Sequence, residues 1–421
     1  MGLPRGRRHI RSCTAVVACV TLTSTIAACG GDQAGPRVIR VPADVTTIVE
    51  AVESARSGDL VLIAPGTYNE TIEVERAGIT IRGEDRNSVV LDGQGKFANG
   101  IQVVADGVAV ENLTITGYQQ NGLIFDGGYD RPASEYPGSG DAVLKGYRAS
   151  YVTSYNNGLY GIYAFAARDG VIEHSLASGH PDSGIYVGQC KPCNAVITNV
   201  IGERNAIGYY GTNASGGVYL INSEFRFNRL GITPNSQEME ELAPQAEAVV
   251  AGNWVHDNDD PDTPKIPKGY FGGGIVVGGG MKNRILRNLV EGHVGAGIQI
   301  TGLNDFMPEN NEVSENVVRD NGTDLVFDAD PSNGHGNCFA ENRFATSSPT
   351  GIEKVLPCGR LAGILPPGTF RPPAPPPGIP FSQVQKPDPQ PNMPGSPTAP
   401  PRPVGPPPVV DLASITVPTG K

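Results

Sequence analysis

The chain is poor in charge and in aromatic rings: of 421 residues, 18% are Asp, Glu, Lys or Arg, 6% are aromatic, and there is one Trp. Basic residues are the scarcer sign, 32 against 43 acidic, for a formal charge of −11. That excludes a nucleic-acid binder, whose phosphate partner demands clustered Lys and Arg. A mean hydropathy of −0.20 excludes a polytopic membrane protein. No glycine string follows a strand and opens a helix, so Gly272-Gly273-Gly274 and Gly278-Gly279-Gly280 carry no nucleotide-binding expectation. What is abundant is glycine, 55 residues, and proline, 37. Together with 39% hydrophobic residues, these describe a turn-rich β protein rather than a disordered polymer.

The ends separate from the middle. Arg5, Arg7, Arg8 and Arg11 precede an apolar run from Thr14 to Ala28, the layout of an export signal over 1–28. Ile26-Ala27-Ala28-Cys29 resembles a bacterial lipobox, which implies lipidation of Cys29 and an extracytoplasmic, membrane-anchored protein. An ordinary cleaved signal is the other reading. Loss of 1–28 removes four arginines and moves the charge from −11 to −15. Residues 29–37 then form a linker. Four cysteines remain, Cys190, Cys193, Cys338 and Cys358, an even number that suits two disulfides in an oxidising compartment. Free thiols and a metal site are the alternatives. At the other end, 20 prolines fall in the last 57 residues, so 361–421 reads as a disordered polyproline II tail or spacer.

Between 38 and 360 a pattern recurs: a short apolar run, Asn, a second run, a turn, Gly, a third run. Its Asn positions are Asn112, Asn199, Asn222, Asn253, Asn288, Asn316 and Asn342, with Ser150 and His174 or Ser175 as substitutes. The tightest spacing is 23 residues, from Asn199 to Asn222. Three short strands per repeat with no helix between them is the arithmetic of a solenoid, in which an Asn amide can donate to the neighbouring rung. Thr47 to Glu50 forms a capping box before a short helix carrying Ile48, Val52 and Ala55, which would close the open end; Gly58 ends it and Leu60–Ile63 starts the first strand.

The stretch Ala64-Pro65-Gly66-Thr67-Tyr68, then Ile79-Thr80-Ile81-Arg82-Gly83, resembles the start of right-handed parallel β-helix proteins of the pectate-lyase-like superfamily, which includes NosD-like proteins and uronate epimerases. The block from Gly184 to Asn194 resembles secreted actinobacterial β-helix proteins. The resemblance implies an all-β, single-stranded right-handed parallel β-helix and specifies no activity.

Long insertions at 126–145, 234–247 and 302–310 follow third strands, and 257–272 precedes one, so a groove is expected on the third-strand sheet. Alternation turns Tyr163, Tyr186 and Tyr210 outward, with Thr233 and Gln299 continuing the row. Such rings suit a sugar platform; a structural aromatic ladder is the plainer reading. Asp257, Asp259, Asp260 and Asp262 have the oxygen density for Ca²⁺ but not EF-hand spacing, so a solvated acidic loop competes. Candidate acids and bases are Asp126, Asp130, His180, His256 and Lys268. The epimerases' Tyr-Gly-Phe-Asp-Pro-His signature is absent. The expectation is a monomeric envelope lipoprotein that binds a cell-wall polysaccharide, with cleavage or epimerisation as its enzymatic form. A non-catalytic scaffold or a NosD-like maturation factor for a metal enzyme is the rival.

Overall fold

The computed structural model describes residues 35–128, 144–238, 241–265, 270–329, 334–360, 363, 365 and 368–420. The export segment, Cys29, Asp130 and Lys268 therefore lie outside the described residues. Between Val38 and Ser348 the chain winds through three parallel sheets, of 12 first strands, 10 second strands and 11 third strands among the described residues. One rung shows the logic. Ala195–Thr198, Ile201–Glu203 and Ile207–Thr212 pair in parallel with Val218–Ile221, Glu224–Arg226 and Leu230–Asn235 of the next. Inward residues stack in register: Ile197, Leu220, Val250, Ile285, Val313 and Phe339 down the first sheet. Ile185, Tyr209, Ile232, Ile275, Ile298 and Leu325 do so down the third. All of them are buried in one continuous core.

The corners differ from the expected repeat by one residue. Asn112, Asn199 and Asn222 hold left-handed φ of 55°, 53° and 49°. Asn tolerates that conformation, and Gly252 and Arg287 take the same place in later rungs. Asn253, Asn288, Asn316 and Asn342 stand one position further on and form the buried ladder. Each donates Nδ2 across the stack, as from Asn253 to the Leu220 carbonyl at 2.9 Å and from Asn288 to Val250 at 2.9 Å. Each Oδ1 accepts the backbone N–H of the ladder residue before it, from Ser223 to Asn253 at 3.0 Å and from Asn253 to Asn288 at 3.0 Å. Without these bonds every tight corner would bury unpaired backbone groups, at about 1–3 kcal/mol each. The two Asn columns look alike in sequence because they are adjacent; only strand pairing separates them.

The N-terminal helix, Ile48–Ser54, is capped by Thr47, whose side chain accepts from Glu50 N, and buries Ile48, Ala51 and Val52. It ends before Gly58, with Ala55 as its C-cap. A strand at Val38–Val41 precedes it and pairs with Leu60–Ile63, so Leu60–Ile63 is the second strand rather than the first. At the far end a short helix, Ile352–Val355, lies over the last rung. The Cys338–Cys358 disulfide ties the segment after that helix to the last first-sheet strand, and Cys190–Cys193 closes a corner.

The proline-rich tail has almost no helix or strand, as its composition implies, yet it lies against the solenoid rather than in free solvent. Prolines remove backbone donors and leave carbonyl acceptors, so the tail needs donors from elsewhere. Arginines supply them. Arg82 Nη1 donates to Ala399 O at 2.6 Å, Arg148 Nη2 to Arg402 O at 2.6 Å, Arg86 Nη1 to Pro391 O at 3.2 Å, and Arg287 Nη1 to Ile415 O at 3.0 Å. Arg82 and Arg148 also share the buried Glu111, both at 2.7 Å. Ile415 packs into an apolar patch of Ile221, Val249 and Leu286 on the outer face of the first sheet.

Candidate functional site

On the third sheet the strand register sets one central outward column. It runs Gln102, Ile124, Tyr163, Tyr186 and Tyr210 through successive pairings, then Thr233, and Val276 beside Gln299. The three tyrosines stack as the alternation implies, with ring centroids 4.8 Å apart for Tyr163–Tyr186 and 6.0 Å for Tyr186–Tyr210. Tyr160 joins them, 4.4 Å from Tyr163 and 5.1 Å from Tyr186. The glycine at 188 makes room: a Cβ there would come within 2.3 Å of the Tyr186 ring. The neighbours close over Tyr186, which is only 1% exposed. It is a buttress of the cluster rather than an open platform.

The open part lies further along. A cleft of about 400 Å³ runs from Tyr210 to Asn304. Its floor is Ile207, Leu230 and Val276, a small apolar cluster on the outside of the sheet. Its sides bring together Gln237, Tyr270, Leu303 and Asn304 from three of the four long insertions. Tyr210 is held in place, its hydroxyl accepting from Gln237 Nε2 at 3.0 Å and Asn235 Nδ2 at 3.3 Å. Thr233 also lines the cleft; it is 6% exposed and its Oγ1 has no hydrogen-bond partner among the described residues. A buried hydroxyl without a partner is costly unless a ligand or water completes it. No described side chain lining the cleft carries a formal charge. Gln299 belongs to the same column and lies outside the cleft lining.

The proposed acids, bases and metal ligands do not converge here. His180 is wholly buried in a corner ladder: its Nδ1 bonds Asn205 Oδ1 at 2.8 Å and its Nε2 bonds Asn157 Nδ2 at 3.3 Å. Burial pulls its pKa down to about 4, so it is a neutral structural residue and not a base in the groove. His256 projects from the second sheet, stacked on Trp254 at 3.8 Å and bonded to Asp257 at 2.7 Å and Glu224 at 3.2 Å. It therefore faces away from the tyrosine column. Asp126 does face outward from the third sheet, bonded to Gln102 at 3.0 Å and Gly128 N at 2.9 Å, and burial raises its pKa.

Asp257 is thus taken by His256. Asp259 accepts from Val294 N at 3.1 Å, with its pKa raised by burial, and Asp260 accepts from Asp262 N at 2.8 Å. Among the described residues no three His, Cys, Asp or Glu side chains gather as a metal site.

One group was missed. Asp182 sits at the turn before Ser183–Gly188, half-buried, and burial pushes its pKa up to about 6 against the opposing pull of the Tyr160 hydroxyl. It belongs to the edge of the tyrosine cluster. Nothing in the repeat pattern marked it, since it lies in a turn. Phe165, the lateral partner of Asp126, is five residues beyond Tyr160 on one strand, about 16 Å of extended chain. The two-carboxylate mechanisms of glycoside hydrolysis need separations of about 5–9.5 Å.

The fold and cleft define a parallel β-solenoid with a groove on one face. The chain belongs to the right-handed β-helix family: residues 99–318 match the family described as the right handed beta helix region. No curated protein sequence matches it. Among solved structures it is similar to the A-module of a mannuronan C-5 epimerase from Azotobacter vinelandii, at 12% identity and a TM-score of 0.46, covering 71% of this chain and 90% of that one. It is also similar to an alginate lyase from a Paenibacillus strain, at 18% identity and a TM-score of 0.41, covering 74% and 99%. A pectate lyase, Pel9A, matches at 14% identity and a TM-score of 0.44, covering 74% and 78%.

Proposed function

We propose that the outer face of the third sheet binds a polysaccharide along the cleft between Tyr210 and Asn304. The observation that carries this is the pairing of an apolar, tyrosine-edged floor with the unpartnered Thr233 hydroxyl. A pyranose presents the complement of that surface, a C–H face for the rings and hydroxyls for Thr233, Gln237 and Asn304. The lipobox and the two disulfides support placing this face outside the cytoplasm, tethered through Cys29. The test is binding of the full chain to an immobilised glycan panel, with Tyr210→Ala alongside. Retention of some glycan, lost in the variant, is expected; equal retention by both proteins would refute the assignment of the cleft.

Turnover of the bound glycan is a second reading, favoured by Asp182, whose pKa burial raises to about 6 beside Tyr160. It expects new reducing ends or unsaturated products on incubation, abolished in Asp182→Asn. Equal product from both proteins would dismiss Asp182.

A further inference from the structure

The charge of this molecule is sorted by face. The first sheet carries Arg82 and Arg148 on its outer side, both engaged with Glu111 and the tail. The second carries Arg226 and Arg319, paired with Glu203 and Glu291. On the third sheet, no outward position of the described strands between Leu123 and Asp328 is Lys or Arg. The acidic side chains that do face out there are Asp126 at one end and Asp328 at the other. Arg229, next to Leu230 of the cleft floor, is buried and outside the cleft lining: it donates to Pro376 O at 2.5 Å and lies over the Phe271 ring at 5.1 Å.

Among the described strand residues of this face, an anionic polymer would meet acids and no cation. A bridging divalent ion would need converging carboxylates, and in the 257–262 loop Asp257, Asp259 and Asp260 are each committed to a different partner. From this sorting we infer that the groove selects an uncharged glycan, one built of neutral hexoses or pentoses, and rejects polyuronates. The inference rests on the glycan-binding reading above and adds its substrate class. Recognition then comes from ring stacking and from hydroxyl and amide hydrogen bonds, with no Coulomb term to be screened by salt.

The experiment is a retention assay of the full chain on neutral glycans (a β-glucan, a mannan, an arabinan and a galactan) and acidic ones (polygalacturonate and alginate). Each is run at low and high NaCl, with Ca²⁺ and with EDTA. Retention by at least one neutral glycan is expected, changing less than about twofold with salt or chelator. Thr233→Val, nearly isosteric, should weaken it by about tenfold, the loss of one hydrogen bond. Gln237→Arg, on the cleft rim, should admit a polyuronate and make that new binding salt-sensitive. Wild-type retention on a polyuronate above every neutral glycan would overturn the neutral-substrate inference while leaving the groove assignment standing. Retention on no glycan at all would overturn the groove assignment itself.

Discussion

Two histidines stand where asparagines stand in neighbouring rungs, and they make the solenoid acid-sensitive in a calculable way. His180 lies between Asn157 and Asn205, and His293 between Asn258 and Asn321. In each, Nδ1 donates to an Asn oxygen at 2.8 Å and Nε2 accepts from an Asn amide, so the neutral ring satisfies both ends. Protonation would point a second donor at the Asn157 or Asn258 amide in a site closed to water. The pKa of each is accordingly lowered to about 4 from 6.5, with burial as the chief cause. The unfolded chain therefore takes up protons first as pH falls. The stabilising effect of each neutral ring is complete above about 6.5 and is lost between there and about 4.

At pH 4.5 the loss is about 2.5 kcal/mol per histidine, or about 5 kcal/mol for both, a large part of a typical folding free energy. The assay is urea unfolding near pH 7 and near pH 4.5, on wild type and on His180→Asn/His293→Asn. Asparagine suits the ladder, so the variant should fold, with some loss at pH 7 from the smaller side chain. Its drop in stability between the two pH values should be smaller than wild type by about 5 kcal/mol. Carboxylates that titrate in this range are shared by both proteins and cancel. An equal drop in the two proteins would refute the reasoning.

Deleting residues 368–421 should lower stability by about 3–5 kcal/mol, because the buried Val384 and Ile415 are lost and Arg82 and Arg148 lose acceptors. Thermal melts read this, and an unchanged melting temperature would mean the tail adds nothing. Cys338→Ser should cost about 3 kcal/mol by opening a loop of about 20 residues, and should raise hydrogen exchange first in the helix at Ile352–Val355. Uniform exchange along the solenoid would contradict that placement. Cys29→Ala should release the protein from membranes into the medium; unchanged membrane retention would dismiss lipidation at Cys29.

The repeat was legible because each rung needs the same few things at the same spacing: apolar residues facing in, and a left-handed or ladder residue at each corner. Alternation alone was enough to place Ile162, Ile185 and Tyr209 inside and Tyr163, Tyr186 and Tyr210 outside. The insertion lengths likewise pointed to the face that holds the cleft. What stayed hidden depends on neighbours distant in sequence. Tyr186 looks available until Tyr160, Tyr163 and Tyr210 are stacked around it. His180 looks like a base until the corner closes on it. Asp182 acquires its chemistry only from burial beside Tyr160. The tail's attachment rests on arginines that precede it by some 130 to 320 residues, as Arg287 does Ile415 and Arg82 does Ala399.

That attachment alters how the solenoid comes apart. A stack of rungs, each touching only the next, frays from its ends and unfolds piecemeal. Here one strap touches Arg82 and Arg86 near the first rungs and Arg287 near the last. Loosening either end breaks contacts that also hold the other, so a linear array acquires a long-range coupling and opens as a unit. The strap also reaches the third sheet, where Thr369 and Phe370 N–H donate to Ser348, and the corner beside it, where Pro376 O accepts from Arg229. Yet no described tail residue lines the cleft, so the molecule is braced along its length with the cleft left open.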